Sequence, residues 1–174
     1  MAGKSGLNKA KPSASKLWRS QKEKLMKKLA FGLVASLALL TAGAEELQWM
    51  TDLPKAQAKA KAEHKLVMLD FTGSDWCGWC IKLNKDVFSK AEFSDYAKKN
   101  LVLVEVDFPN KKQLSSEQKK ANEALKDKYK VEGYPTIVVL DPNGKKMGEI
   151  VGYVEGGPKA FIGELEKQSK GNQS

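Results

Sequence analysis

One uninterrupted apolar run, Leu29–Leu40, precedes a long series of short units in which apolar and polar positions alternate on two different periods. Thr51-Asp52-Leu53-Pro54 leads into an Ala- and Lys-rich stretch ending at His64. A capping Thr or Asp with proline in the first turn predicts a helix there. Lys65–Phe71 is a short apolar run bounded by polar residues, which predicts a strand buried on both faces. Apolar residues at 80, 81, 83, 87 and 88 fit a helical stripe, and a brief helix is expected over 91–99. Residues 101–107 read as a second buried strand. Ser115 or Ser116 caps a further helix with Ala121, Ala124, Leu125 and Tyr129 on one face. Thr136–Leu140 is a strand, and Asp141-Pro142-Asn143-Gly144 is a hairpin turn into Lys146–Tyr153. Gly156-Gly157-Pro158 starts a last helix with Phe161, Ile162 and Leu165 inward. Alternation followed by an antiparallel pair predicts an α/β domain: a mixed central sheet flanked by helices on both faces.

The apolar run has a different meaning. Met26-Lys27-Lys28, the twelve residues 29–40, and Thr41-Ala42-Gly43-Ala44 are the basic start, apolar middle and small-residue end of a secretory signal peptide. Cleavage is expected after Ala44. A spanning helix needs about 20 apolar residues, so a membrane anchor over 29–44 is the alternative reading. Residues 1–25, rich in Lys, Ser and Ala, are expected to be a disordered basic extension, and 45–174 to be the folded domain, exported to the periplasm or beyond.

Charge then changes little. The 174 residues carry a net charge of +9, but nine of the 30 basic and one of the 21 acidic residues fall in 1–44. That leaves 21 against 20, a net of +1, over 45–174. A basic nucleic-acid-reading domain is therefore not indicated. Two cysteines and one histidine exclude a disulfide scaffold and a self-contained four-ligand zinc site.

Those two cysteines carry the chemistry. Cys77-Gly78-Trp79-Cys80 stands where a predicted strand hands over to a helix. Residues three apart in a first helical turn share a face, so the two sulfurs can bond. Unpaired N–H groups and the positive end of the helix dipole favour an anion at Cys77. A thiol of pKa about 8.5 is about 3% ionised at pH 7, and one near 7 is about half ionised. Cys77 is thus the candidate nucleophile and Cys80 the resolving thiol. A zinc half-site would need two more ligands with His64 as the sole histidine. A purely structural bridge would close too small a loop to restrict much chain entropy.

Asp70-Phe71, Trp76-Cys77-Gly78-Trp79-Cys80, Tyr134-Pro135-Thr136 and Val151-Gly152, in this order, resemble the thioredoxin superfamily over roughly residues 47–168. The pattern is similar to exported bacterial thioredoxin-like proteins and periplasmic thiol:disulfide interchange domains. The resemblance implies a thioredoxin fold with no cofactor beyond a Cys77–Cys80 redox disulfide and no metal. It implies that Pro135 is a cis-proline facing the sulfurs, with Tyr134 pairing with bound peptide, and that Asp70 relays a proton to or from Cys80. Trp76, Gly78, Trp79, Tyr134, Gly152 and Tyr153 are the candidate substrate-binding residues. Disulfide-bearing proteins or peptides are the implied substrates, a membrane-embedded electron donor the implied partner, and a monomer the expected state. Six residues separate Asp70 from Cys77, one more than in thioredoxin proper, and Leu103 stands where thioredoxin has a lysine. Gly-Trp between the cysteines offers no imidazolium, which argues against a strong oxidant. A reductase or isomerase is therefore expected, with a non-catalytic peptide-binding or chaperone module as the alternative. Copper(I) delivery is a weaker third reading.

Overall fold

The structure, a computed structural model, describes residues 47–170. The basic extension over 1–25, the signal peptide over 26–44 and the cleavage point after Ala44 lie outside the described residues. The elements run β1 (Trp49–Met50), α1 (Leu53–Glu63), β2 (Leu66–Thr72), α2 (Gly78–Leu83), a π-helical turn (Asn84–Phe88), α3 (Ala91–Asn100), β3 (Leu101–Asp107), α4 (Ser116–Tyr129), β4 (Thr136–Leu140), β5 (Lys146–Val151) and α5 (Gly157–Lys170).

The strands form one mixed sheet in the order β1-β3-β2-β4-β5. β1, β3 and β2 are parallel, and β4 runs antiparallel to both β2 and β5. Because side chains alternate across a strand, each central strand feeds two cores. Val67, Leu69, Phe71, Val102, Val104, Val106, Val138 and Leu140 meet α1 and α4 through Leu53, Ala56, Ala60 and Tyr129. Met68, Leu103, Ile137 and Val139 meet the other three helices through Leu83, Phe93, Phe161 and Leu165. Each buried Val, Leu, Ile, Phe or Met side chain among these contributes about 1.5–3 kcal/mol.

The caps explain where the helices start and stop. Asp52 accepts from the Lys55 amide at 2.9 Å, and His64, in the left-handed region at φ 54°, ends α1. The one histidine is thus an exposed helix cap. Ser115, not Ser116, caps α4, accepting from Gln118 N at 3.1 Å. In the hairpin, Asp141 Oδ1 accepts from the amides of Asn143 and Lys145, and Gly144 takes φ +89°. A β-branched or bulky residue would be strained there.

Three expectations need correction. The two-residue strand β1 was not expected; Trp49 and Met50 pair with Leu103 and Val104 at the sheet edge. On α4, Ala121 and Ala124 are exposed and the buried positions are Asn122 and Tyr129. The reason is a polar contact that hydropathy does not register: Asn122 Nδ2 donates to Asp107 O at 2.8 Å and turns the helix toward the sheet. On α2, Ile81 is half exposed, so the apolar stripe is narrower than the run of apolar letters.

Candidate active site

β2 ends at Thr72, and the chain makes a tight turn before α2 begins. Trp76 N and Cys77 N both donate to Gly73 O, at 3.2 and 2.9 Å. Gly73 has a packing reason: a Cβ there would lie 2.5 Å from the Trp76 indole. The turn that leads to Cys77 is fastened at two points. Ser74 donates to both oxygens of buried Asp107, from N at 2.9 Å and from Oγ at 2.6 Å. Asp75 accepts from the amides of Asn110, Lys111 and Lys112 at 2.7–3.0 Å. Those donors, led by the Asn110 amide, hold the Asp75 carboxyl below its ordinary pKa.

This turn sets Cys77 at the N-cap of α2 with extended backbone, where its sulfur accepts from Cys80 N at 3.2 Å. Cys77 and Cys80 form a disulfide with their Cα atoms 5.2 Å apart. Both are buried, Cys77 at 7% exposure and Cys80 at 4%. The amide that points at Cys77 Sγ would point at a thiolate after reduction. It is one of the donors a helix leaves unpaired at its start, and a charge-assisted bond of this kind lowers a thiol pKa.

Asp70 lies on β2 between Glu105 of β3 and Ile137 of β4, on the same sheet face as Met68 and therefore on the side that α2 covers. It is buried, and Oδ1 has no hydrogen-bond partner. Burial, then the negative charges of Glu105 and Asp107, push its pKa up to about 8. Burial first, and Asp107 second, raise Glu105 as well, with Lys112 opposing. Leu103 lies one inward-facing position before Glu105 on the same strand. The charged neighbour of Asp70 on β3 is therefore a carboxylate, and sequence reading missed it because it depends on strand register.

The Tyr134–Pro135 peptide bond is cis. Pro135 O accepts from Gly152 N at 2.8 Å, and Gly152 takes φ +85°, a backbone conformation that favours glycine. The four candidate aromatics, Trp76, Trp79, Tyr134 and Tyr153, separate into two pairs. Trp76 meets Tyr134 edge-on at 6.0 Å, and Tyr134 stacks on Phe108 at 5.2 Å. Trp76 Nε1 donates to Phe108 O at 2.7 Å, and Lys126 lies over the Phe108 and Tyr134 rings. Trp79 meets Tyr153 at 5.6 Å. Trp79 is 60% exposed and Trp76 46%, and Ile81 and Val151 are also open to solvent. Gly78 is exposed, with open space where a side chain would be. Beside the first pair opens a cleft of about 360 Å³ whose lining includes Trp76, Phe108, Leu114, Asn122 and Tyr134. Phe108 was not singled out in the sequence; its signal was an aromatic residue directly after a buried strand. Among the described residues no group of three or more His, Cys, Asp or Glu side chains could hold a metal.

The thioredoxin-like domain family model matches residues 53–169. The chain is 39% identical over 127 residues to the disulfide bond reductase DsbH of Chlamydia pneumoniae, covering 73% of this chain and 75% of that one. It is 31% identical to the thioredoxin-related protein DsbJ of the same organism, covering 68% of this chain and 36% of that longer one. A solved structure titled DsbH oxidoreductase superposes with a TM-score of 0.67 at 39% identity, over 72% of this chain and 85% of that one. Fold, family match and the bonded cysteine pair at a helix mouth agree: the chain belongs to the thioredoxin-like family, as a thiol–disulfide oxidoreductase whose redox centre is its own Cys77–Cys80 pair.

Proposed function

We propose that this protein is an extracytoplasmic reductase or isomerase of protein disulfides. The observation that carries the direction is the Cys77-Gly-Trp-Cys80 mouth, where one backbone amide and no imidazole faces the attacking sulfur. A strong oxidant needs its thiolate stabilised far beyond that. The 39% identity to a protein named as a disulfide bond reductase supports the same direction.

In the reducing direction the Cys77 thiolate attacks one sulfur of a substrate disulfide. The substrate S–S bond breaks, a mixed disulfide forms, and the other substrate sulfur leaves as thiolate. Cys80 then loses its proton and attacks Cys77 Sγ, which restores the bond seen here and releases the second substrate thiolate. Two electrons pass from the cysteine pair to the substrate. Asp70 accepts the Cys80 proton. A carboxylate of pKa about 8 is nearly matched to a thiol of about 8.5, whereas an ordinary one is weaker by more than four units. The substrate chain lies along Tyr134-Pro135 and Gly152, with the exposed faces of Trp76 and Trp79 as apolar rim and the 360 Å³ cleft receiving a flanking side chain. Equilibration of the pair with glutathione tests the direction: a potential below about −200 mV fits a reductant, and one near −120 mV would make the protein an oxidant.

An exported protein in an oxidising compartment must be re-reduced, so a membrane electron donor is the proposed partner. The basic, apolar and small-residue order of 26–44 supports export. The exported chain is expected to begin at Glu45; an amino terminus upstream of Met26 would overturn the signal peptide.

A further inference from the structure

Tyr153 is tied down in a way its place beside the rim does not require. Its hydroxyl donates to Asp86 Oδ2 at 2.9 Å across 67 positions of sequence. Asp86 lies in the π-helical turn that follows α2, and its Oδ2 also accepts from Lys82, one turn earlier on the same helical stretch. Lys82 Nζ in turn sits 4.9 Å from the centre of the Tyr153 ring. Trp79 lies against the opposite partner of this set, its indole 5.6 Å from Tyr153 and tilted 32°. Trp79 is 60% exposed, and the Tyr153 ring lies beside its indole. π-turns of this kind are frequent at functional sites.

We propose that Asp86 is a positioning residue for substrate recognition: through the Tyr153 hydroxyl it fixes the Trp79–Tyr153 aromatic shelf beside the disulfide, and a polypeptide disulfide must lie across that shelf. The inference rests on the redox reading above and adds which residue sets its discrimination between polypeptide and small disulfides. Asp86 does not touch the reacting sulfurs. A small disulfide that reaches Cys77 without crossing the shelf is indifferent to it.

The test uses steady-state reduction of insulin and, separately, of oxidised glutathione, each driven by dithiothreitol. Asp86→Ala is expected to raise KM for insulin about fivefold, the equivalent of one ordinary hydrogen bond, with kcat and glutathione turnover within twofold. Asp86→Asn keeps an oxygen that accepts from Tyr153 and restores KM. Lys82→Met removes the ion pair and the cation beside the Tyr153 ring but spares the hydroxyl bond, and raises KM less than Asp86→Ala does. Tyr153→Phe removes one oxygen and raises KM as Asp86→Ala does. The double variant is no worse than either single one, as coupled partners require. Should Asp86→Ala fail to fold, Tyr153→Phe carries the test alone. Additive losses, an Asn variant as impaired as Ala, or equal losses on insulin and glutathione would overturn the proposal. Native protein inactive on insulin would overturn the reductase reading itself, and this inference with it.

Discussion

Cys77→Ser protein reduces insulin at less than about a thousandth of the native rate, because a hydroxyl near its ordinary pKa is a poor nucleophile without a general base. Cys80→Ala gives the opposite signature. Its Cys77 still attacks, but nothing displaces the product, so covalent mixed disulfides with substrate accumulate and are visible on a non-reducing gel. Both outcomes follow from the asymmetry at the mouth of α2. Cys77 Sγ is the sulfur that accepts an amide hydrogen bond, and Cys80 lies one turn inward at 4% exposure. The pair of results separates redox chemistry from a module that merely holds peptides. An adhesive surface would survive Cys77→Ser and would form no covalent adduct in Cys80→Ala. Alkylation of the reduced protein adds an independent measurement: Cys77 reacts at a pH below that of a free thiol. A profile with the ordinary midpoint near 8.5 would remove the premise.

Asp70→Asn is expected to stabilise the oxidised protein near neutral pH and to slow its turnover. The folded-state pKa of Asp70 is pushed up to about 8 by burial and by Glu105 and Asp107, whereas an unfolded aspartate titrates near 3.9. Between those two values the folded chain binds the extra proton, so stability falls as pH rises. The penalty is absent below about pH 4 and complete above about pH 8. At pH 7 it is on the order of 4 kcal/mol, three pKa units at about 1.4 kcal/mol each. Asparagine removes this term but buries amide hydrogens with no acceptor, at about 1–3 kcal/mol. A net gain of about 1–3 kcal/mol is therefore expected in urea unfolding at pH 7, and none, or a small loss, at pH 4.5. Identical differences at the two pH values would refute the assignment. Turnover should fall at the resolving step, seen as a longer-lived mixed disulfide.

Much of this was legible beforehand, and the parts that were not have a common cause. Cys77, Cys80 and their place at a strand–helix junction could be read from local letters, since a run of apolar residues ending in a turn and a helical stripe is a short-range signal. The central strands were legible because Leu66–Thr72 and Leu101–Asp107 are apolar on both faces. What could not be read is whatever depends on register between distant strands. Glu105 stands beside Asp70 only because β2 and β3 pair in that frame, and no local pattern announces it. The inward face of α4 was misjudged for a related reason. Asn122 is buried to satisfy the carbonyl of Asp107, and a hydropathy reading gives weight to alanines instead. β1 is two residues long and owes its pairing to an edge that β3 provides. Asp75 takes its role from the amides of 110–112, which converge on it from a distant loop.

The direction of β4 has a further consequence. Phe71 near the end of β2 pairs with Thr136 at the start of β4, and Thr136 pairs with Val151 at the end of β5. Reversing one neighbouring strand therefore lines up the end of β2, from which the turn to Cys77 departs, with the strand ends flanked by Pro135 and Gly152, roughly 55 to 75 positions after the cysteines. A growing polypeptide that has reached only residue 133 already owns both thiols, yet it lacks Pro135, Gly152 and the last two strands.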